Sequence, residues 1–201
     1  MEHKRTAYVL LGLLAIEPDQ SGYDLKKTIE GSVGFFWGES YGQLYPTLKQ
    51  LTSEGLVKST TPESVAGRKR QLYSITPLGL DALKTWLALP YRMAPLRDEF
   101  LLKLFFGHTA GIETTIAQVK EFQTKTRDLV QSLEMIGQLS QQHQVNRPEL
   151  LYWLLTLEYG LAQQRATLAW SETALAQLTS AAQTSIAQTS SSTPVMSKSS
   201  K

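Results

Sequence analysis

Two clusters of side chains in this 201-residue chain stand out as chemically capable. Gly38-Glu39-Ser40-Tyr41-Gly42 fits the Gly-x-Ser-x-Gly nucleophile elbow of serine esterases, in which a sharp strand-to-helix turn lifts the serine out of a parallel sheet. Its acid and histidine partners would follow in the chain, where His108 and His143 are the histidines on offer. Arg68-Lys69-Arg70, beside Gly67, is the only run of three consecutive cations. At the tip of a hairpin such a run is placed to meet phosphate oxygens or probe a minor groove.

Other chemistries are poorly supplied. His3, His108 and His143 are isolated, and no His or carboxylate pair shows ligand spacing, so no metal site is expected. No glycine pattern of the phosphate-loop or dinucleotide type is present, and no cofactor is expected. The absence of cysteine excludes disulfides, thiolate ligands and thiol nucleophiles, and fits a cytoplasmic setting. Hydrophobic residues make up 42% and charged residues 19%, the balance of a globular protein. Twenty basic against eighteen acidic side chains give a net charge of +2, so any affinity for nucleic acid must come from local placement.

Several short elements must hold these groups. The apolar run Ala7 to Ile16 lacks a signal-peptide cleavage site and is too short to span a bilayer, so it reads as a buried first helix. Ser21-Gly22-Tyr23-Asp24 sets a capping hydroxyl three residues before a carboxylate and opens a second helix carrying Leu25 and Ile29 inward. A third helix is expected from Ser40, with Gln43 as reciprocal cap, Leu44, Leu48 and Leu51 on its inner face, and a stop at Gly55. Its outer face displays Tyr41, Gln43, Tyr45 and Lys49, groups suited to base edges and phosphates. Pro46 conflicts with this placement, because a proline beyond the first turn deletes a backbone bond.

Leu56 to Thr60 and Gln71 to Ile75 read as two strands of a hairpin, with the cationic run in its long tip. Thr76-Pro77 then opens a fourth helix ending near Leu89. Three helices followed by a two-stranded wing is the order of a winged helix-turn-helix, whose later helix enters the major groove. The fold class expected is therefore mainly α with a small two-stranded β wing.

From residue 96 to about 180 the sequence is helical. Ile112, Ile116, Val119, Phe122, Leu129, Leu133 and Ile136 form one stripe. Leu154, Leu161, Leu168 and Leu175 repeat every seven residues with Leu150 and Leu157 beside them, a coiled-coil seam interrupted by Gln164 and Ser171. A partner subunit completing a bundle explains it most economically, which makes Leu150, Leu154, Leu157, Leu161, Leu168 and Leu175 the expected dimer interface. The organisation expected is a DNA-binding domain over 1–90, a helical dimerisation domain over 96–180, and a disordered Ser/Thr-rich tail over 181–201.

Ser21-Gly22-Tyr23-Asp24-Leu25, Gln43-Leu44-Tyr45-Pro46-x-Leu48-x-x-Leu51 and Gly67-Arg68-x-Arg70-x-x-Tyr73-x-Ile75-Thr76-x-x-Gly79 resemble the PadR family of bacterial transcriptional regulators. Asp98 to Lys103 and the long C-terminal helices resemble its larger-bodied branch, which includes a phenolic-acid-responsive repressor. The resemblance implies a homodimeric repressor that clamps a pseudo-palindromic operator in double-stranded DNA and is released by a small, phenolic effector; it implies no enzyme. It adds Ser21 and Tyr23 to the expected DNA contacts Tyr41, Gln43, Tyr45, Lys49, Arg68, Lys69 and Arg70. An effector is expected between the winged domain and the helical body, with Phe100, His108, Tyr152 and Trp153 as aromatic walls with polar tips. The alternatives are a serine esterase at Gly38-x-Ser40-x-Gly42 and a coiled-coil adaptor without DNA contact.

Overall fold

The computed structural model describes residues 5–37, 41–61, 70–91, 97–143 and 146–191. The chain divides into two compact units, Met1–Ala94 and Pro95–Lys201.

In the first unit, helix α1 (Arg5–Ile16) is apolar on most of its circumference because neighbours surround it. Leu10, Leu11 and Leu14 are fully buried, with Ala7 and Leu13 nearly so. They pack with Leu25 and Ile29 of α2 (Gly22–Gly31) and with Leu44, Leu48 and Leu51 of α3 (Leu44–Ser53) in one core. Truncating one such leucine to alanine removes about 2–5 kcal/mol. Tyr8 of α1 stacks on Trp86 of α4 (Pro77–Leu87) with centroids 4.5 Å apart.

The start of α2 follows the expected capping box. The Asp24 amide donates to Ser21 Oγ (3.2 Å), and the Ser21 amide donates to Asp24 Oδ2 (3.0 Å). Helix α3 departs from expectation. Residues Tyr41–Gln43 form a short 3₁₀ turn, and α3 begins only at Leu44, with Gln43 as N-cap but without a capping bond from its side chain. Pro46 is therefore the third residue of α3, within the first turn, where the amide it lacks would have no partner inside the helix. A start at Ser40 would put Pro46 beyond the first turn, and the start at Leu44 puts it inside. Gly55 ends α3 at φ +73°, with Leu56 N–H donating to Leu51 O (3.0 Å) and Gly55 N–H to Thr52 O (3.1 Å), a Schellman motif.

Two strands were expected, and the described residues form three. Strands β2 (Val57–Thr60) and β3 (Leu72–Ile75) pair antiparallel, and β1 (Gln20–Ser21) adds to the other edge of β3, giving the order β1-β3-β2. Ser21 lies opposite Leu72. A two-residue strand has no periodicity to read, and its capping serine masked it. Thr76 caps α4, its Oγ accepting the Gly79 amide (3.0 Å) while donating to Gly55 O (2.8 Å).

In the second unit, Asp98 caps α5 (Glu99–Phe105), which is followed by α6 (Gly107–Ala110), α7 (Ile112–His143) and α8 (Leu150–Ser191). Helices α7 and α8 pack antiparallel: Gly137 meets Leu157 near the connection, and Phe122 meets Trp170 farther from it. Arg165 bonds Glu134 across the pair at 2.7 Å. The tail expected to be disordered from 181 is helical as far as Ser191. Ala181, Ala182 and Ala187 with Gln183 and Gln188 are good helix formers, and Thr184 Oγ bonds back to the Ser180 carbonyl, so serine content alone misled. Residues 192–201 lie outside the described residues.

Candidate nucleic-acid interface

The exposed side of α3 is built by what its inner side buries. With Leu44, Thr47, Leu48 and Leu51 inward, Tyr45 and Lys49 face outward one turn apart. Tyr45 is 61% exposed, and Gln43 is exposed with its amide free of any capping role. Among the described residues no carboxylate pairs with Lys49. Tyr45 turns back over the first residue of α2: a Cβ at Gly22 would stand 2.6 Å from its Cε1 and 3.1 Å from its hydroxyl. Gly22 thus clears the space in which the ring sits. Tyr23, next in α2, is 64% exposed.

Ser21, expected both to cap α2 and to contact DNA, takes the capping place. It is buried, and its Oγ donates to Asp24 Oδ2 (2.6 Å) while accepting the Asp24 amide, so its hydroxyl serves the cap. Arg70, leading into β3, donates from Nη2 to Asp24 Oδ1 (2.9 Å). Asp24 is held below the usual carboxylate range, chiefly by the Ser21 hydroxyl, with the Ser21 amide and Arg70 adding to it against a partial burial. Tyr73, buried on β3, is pushed up by burial and secondarily by Tyr45. Arg68 and Lys69, with Gly38 and Ser40 of the elbow motif, lie outside the described residues. The described residues therefore show Tyr23, Gln43, Tyr45 and Lys49 as exposed groups around the α2–α3 junction, with Arg70 leading into β3. Sequence reading saw Asp24 only as a cap and missed it as the partner of Arg70; no local spacing links residues 46 positions apart.

The elbow reading fails on architecture, since the sheet is antiparallel and no parallel pair occurs among the described residues. In the second unit the four expected effector residues are not brought together. Phe100 stacks on Phe122 at 3.8 Å and 2° and meets the edge of Trp170 at 6.0 Å. His108 is exposed on α6, Tyr152 is 69% exposed, and Trp153 is half-buried. A separate cleft of about 330 Å³ is lined by Leu102, Lys103, Phe106, Thr109, Ala110 and Gln118. The heptad leucines lie along the stripe of α8 that meets α7 in the same chain: Leu157 is buried, and Leu150, Leu154, Leu161, Leu168 and Leu175 are half-buried. Ser171 is fully buried in that stripe, its hydroxyl donating to Leu168 O (2.7 Å), so the polar interruption is satisfied locally. Leu151, Leu155 and Tyr159 form a different, exposed stripe at fourfold spacing. No helix among the described residues is long and apolar enough to cross a membrane.

Residues 10–85 match the model of the transcriptional regulator PadR-like family, and residues 96–179 match that of the virulence activator alpha C-term family. The negative transcriptional regulator PadR of Bacillus subtilis is 28% identical over 177 residues, covering 85% of this chain and 96% of its own. Its crystal structure in complex with operator DNA is similar at TM-score 0.75 and 26% identity, covering 87% of this chain and 99% of that one. Its structure in complex with p-coumaric acid is similar at TM-score 0.68 and 25% identity, with the same coverage. The virulence activator AphA of Vibrio cholerae is 30% identical at TM-score 0.67, covering 87% of this chain and 98% of its own.

Proposed function

We propose a mechanism from one premise: the chain belongs to the transcriptional regulator PadR-like family. It acts as a cytoplasmic, homodimeric repressor that binds a pseudo-palindromic operator and leaves it when a small phenolic effector binds. The observation that carries this reading is the likeness, over nearly the whole of that chain, to PadR of B. subtilis held on operator DNA. The exposed surface of α3 supports it. Gln43 offers an amide that can pair with adenine in two bonds, Lys49 a cation for guanine or phosphate, and Tyr23 and Tyr45 hydroxyls for phosphate oxygens. Tyr41, Arg68 and Lys69 belong to the same proposed surface.

One α3 from each subunit would enter successive major grooves, about 34 Å apart on one face of the duplex. We place the partner subunit against the exposed stripe Leu151, Leu155 and Tyr159 of α8 instead of the heptad leucines, because the former is exposed within the chain whereas the latter are buried or half-buried. An effector releases the operator only by favouring the arrangement that fits DNA poorly, and by as much free energy as the operator loses. That effector is a phenolic acid, a class supported by the complex of B. subtilis PadR with p-coumaric acid.

The test is to select fragments of the organism's own genome on the full-length chain and titrate the recovered duplex by gel shift with and without p-coumaric acid. A discrete retarded complex that the acid dissolves is expected. No enrichment of any fragment would contradict the DNA-binding reading, and a complex indifferent to phenolic acids would remove the effector class.

A further inference from the structure

Three ties converge where the wing leaves the helix-turn-helix. The backbone of β3 pairs with that of β1, Leu72 opposite Ser21. Two residues before Leu72, the Arg70 guanidinium reaches Asp24 Oδ1 at 2.9 Å. The other carboxylate oxygen, Oδ2, accepts the Ser21 amide at 3.0 Å and the Ser21 hydroxyl at 2.6 Å. Asp24 therefore has both oxygens engaged, one by the start of its own helix and one by the wing. Gly22, next to Ser21, carries the ring of Tyr45 from α3. The start of α2, the reading face of α3 and the foot of the wing thus meet within a few residues.

We propose that Asp24 and Arg70 form a strut that aims the wing relative to α3, so that Arg70 is a positioning residue and not a phosphate contact. The inference rests on the reading of the chain as a DNA-binding regulator. Charge supports it: a phosphate arriving at Arg70 would meet a carboxylate already bonded to the guanidinium, and a neutral pair releases no condensed counterion. Chain connectivity supports it as well, since Arg70 directly follows Arg68-Lys69 in the sequence and stands two residues before the start of β3. A side chain fixed at that point holds the chain where it enters β3. Removing Asp24 then has two opposite expectations. Simple electrostatics says that losing a negative charge near DNA tightens binding, whereas loss of the strut weakens operator binding.

The experiment uses Arg70→Gln, Asp24→Asn and the double variant in the full-length chain. Each is titrated by fluorescence anisotropy across a salt series, against the duplex that the wild type selects from its genome and against a shuffled duplex of equal length. The strut predicts that each single variant loses discrimination between the two duplexes by roughly tenfold. The double variant should lose no more than either single one, with the salt slope on the shuffled duplex unchanged. A salt slope that falls by about 0.9 on both duplexes in Arg70→Gln, with discrimination kept, makes Arg70 a phosphate contact and overturns the proposal. Amide hydrogen exchange of the free proteins decides the strut independently of DNA. The segment Leu72–Ser74 should exchange faster in Arg70→Gln, an exposed substitution that leaves the α2 cap intact, and unchanged exchange overturns the proposal. A wild type that does not discriminate between duplexes refutes the DNA-binding reading instead, and the exchange result then stands for the strut alone.

Discussion

Tyr45 of α3 rests on the bare backbone of Gly22 in α2, so close that a Cβ there would lie 2.6 Å from the ring. The contact joins the two helices of the helix-turn-helix on their exposed side, above the leucine core that joins them from within. Gly22→Ala should displace the ring, which is the far end of a flexible side chain. Alanine's better helix propensity offsets part of the cost, so stability should change by less than about 1 kcal/mol. Operator affinity should fall roughly tenfold, as expected for one misplaced contact. Denaturant melts beside anisotropy titrations check both halves.

Gly79→Ala makes the contrast. Its Cβ would lie 2.1 Å from the Leu56 carbonyl oxygen, which is backbone and cannot swing away. That oxygen also accepts the Thr76 amide at 3.0 Å, so moving it disturbs the α4 cap and the start of β2 together. A loss of about 1–3 kcal/mol or more is expected, read as a lower urea midpoint. A stability equal to that of Gly22→Ala would contradict the packing described.

Lys49 and Gln43 should fail in different ways. Lys49→Ala removes a cation with no carboxylate partner among the described residues, so it should weaken binding to all duplexes and lower the salt slope by about one. Gln43→Ala should leave the slope alone and relax preference at one base pair, worth about 1–3 kcal/mol. Salt titrations on duplexes carrying single base changes separate the two.

Two titrations bound the pH range of the first unit. Asp24 is depressed in the folded state, chiefly by the Ser21 hydroxyl. Its contribution is therefore complete above the ordinary value of 3.8 and is lost as pH falls through the lower folded value. Tyr73 is raised by burial, so its contribution is complete below 10.0 and is lost as pH rises from there through the folded value. Stability measured in urea from pH 9 to 11 should decline for the wild type and decline less for Tyr73→Phe, whose ring cannot ionise; an identical decline in both would assign the loss elsewhere.

Elements with strong local chemistry were legible in the sequence: the Ser21–Asp24 capping box, the Thr76-Pro77 start of α4, the Gly55 stop and the inward leucines at 44, 48 and 51. Features that depend on partners distant in the chain were not. Strand β1 exists because β3 lies beside it, and the Asp24–Arg70 pair spans the whole helix-turn-helix. The heptad of α8 marks a repeating apolar stripe, but periodicity does not say which helix lies against it, and in this chain α7 packs along α8. Pro46 looked anomalous only because the 3₁₀ turn Tyr41–Gln43 delays α3 by a few residues.

The central claim is that the α3 surface reads a DNA sequence, and the ratio of two affinities measures this most directly. The wild-type chain is titrated at physiological salt against the duplex it selects from its own genome and against a shuffled duplex of the same length and composition. A specific reader should prefer the selected duplex by roughly a thousandfold or more. Equal affinity for the two duplexes, falling together as salt rises, would reduce the interaction to charge attraction alone and contradict the account.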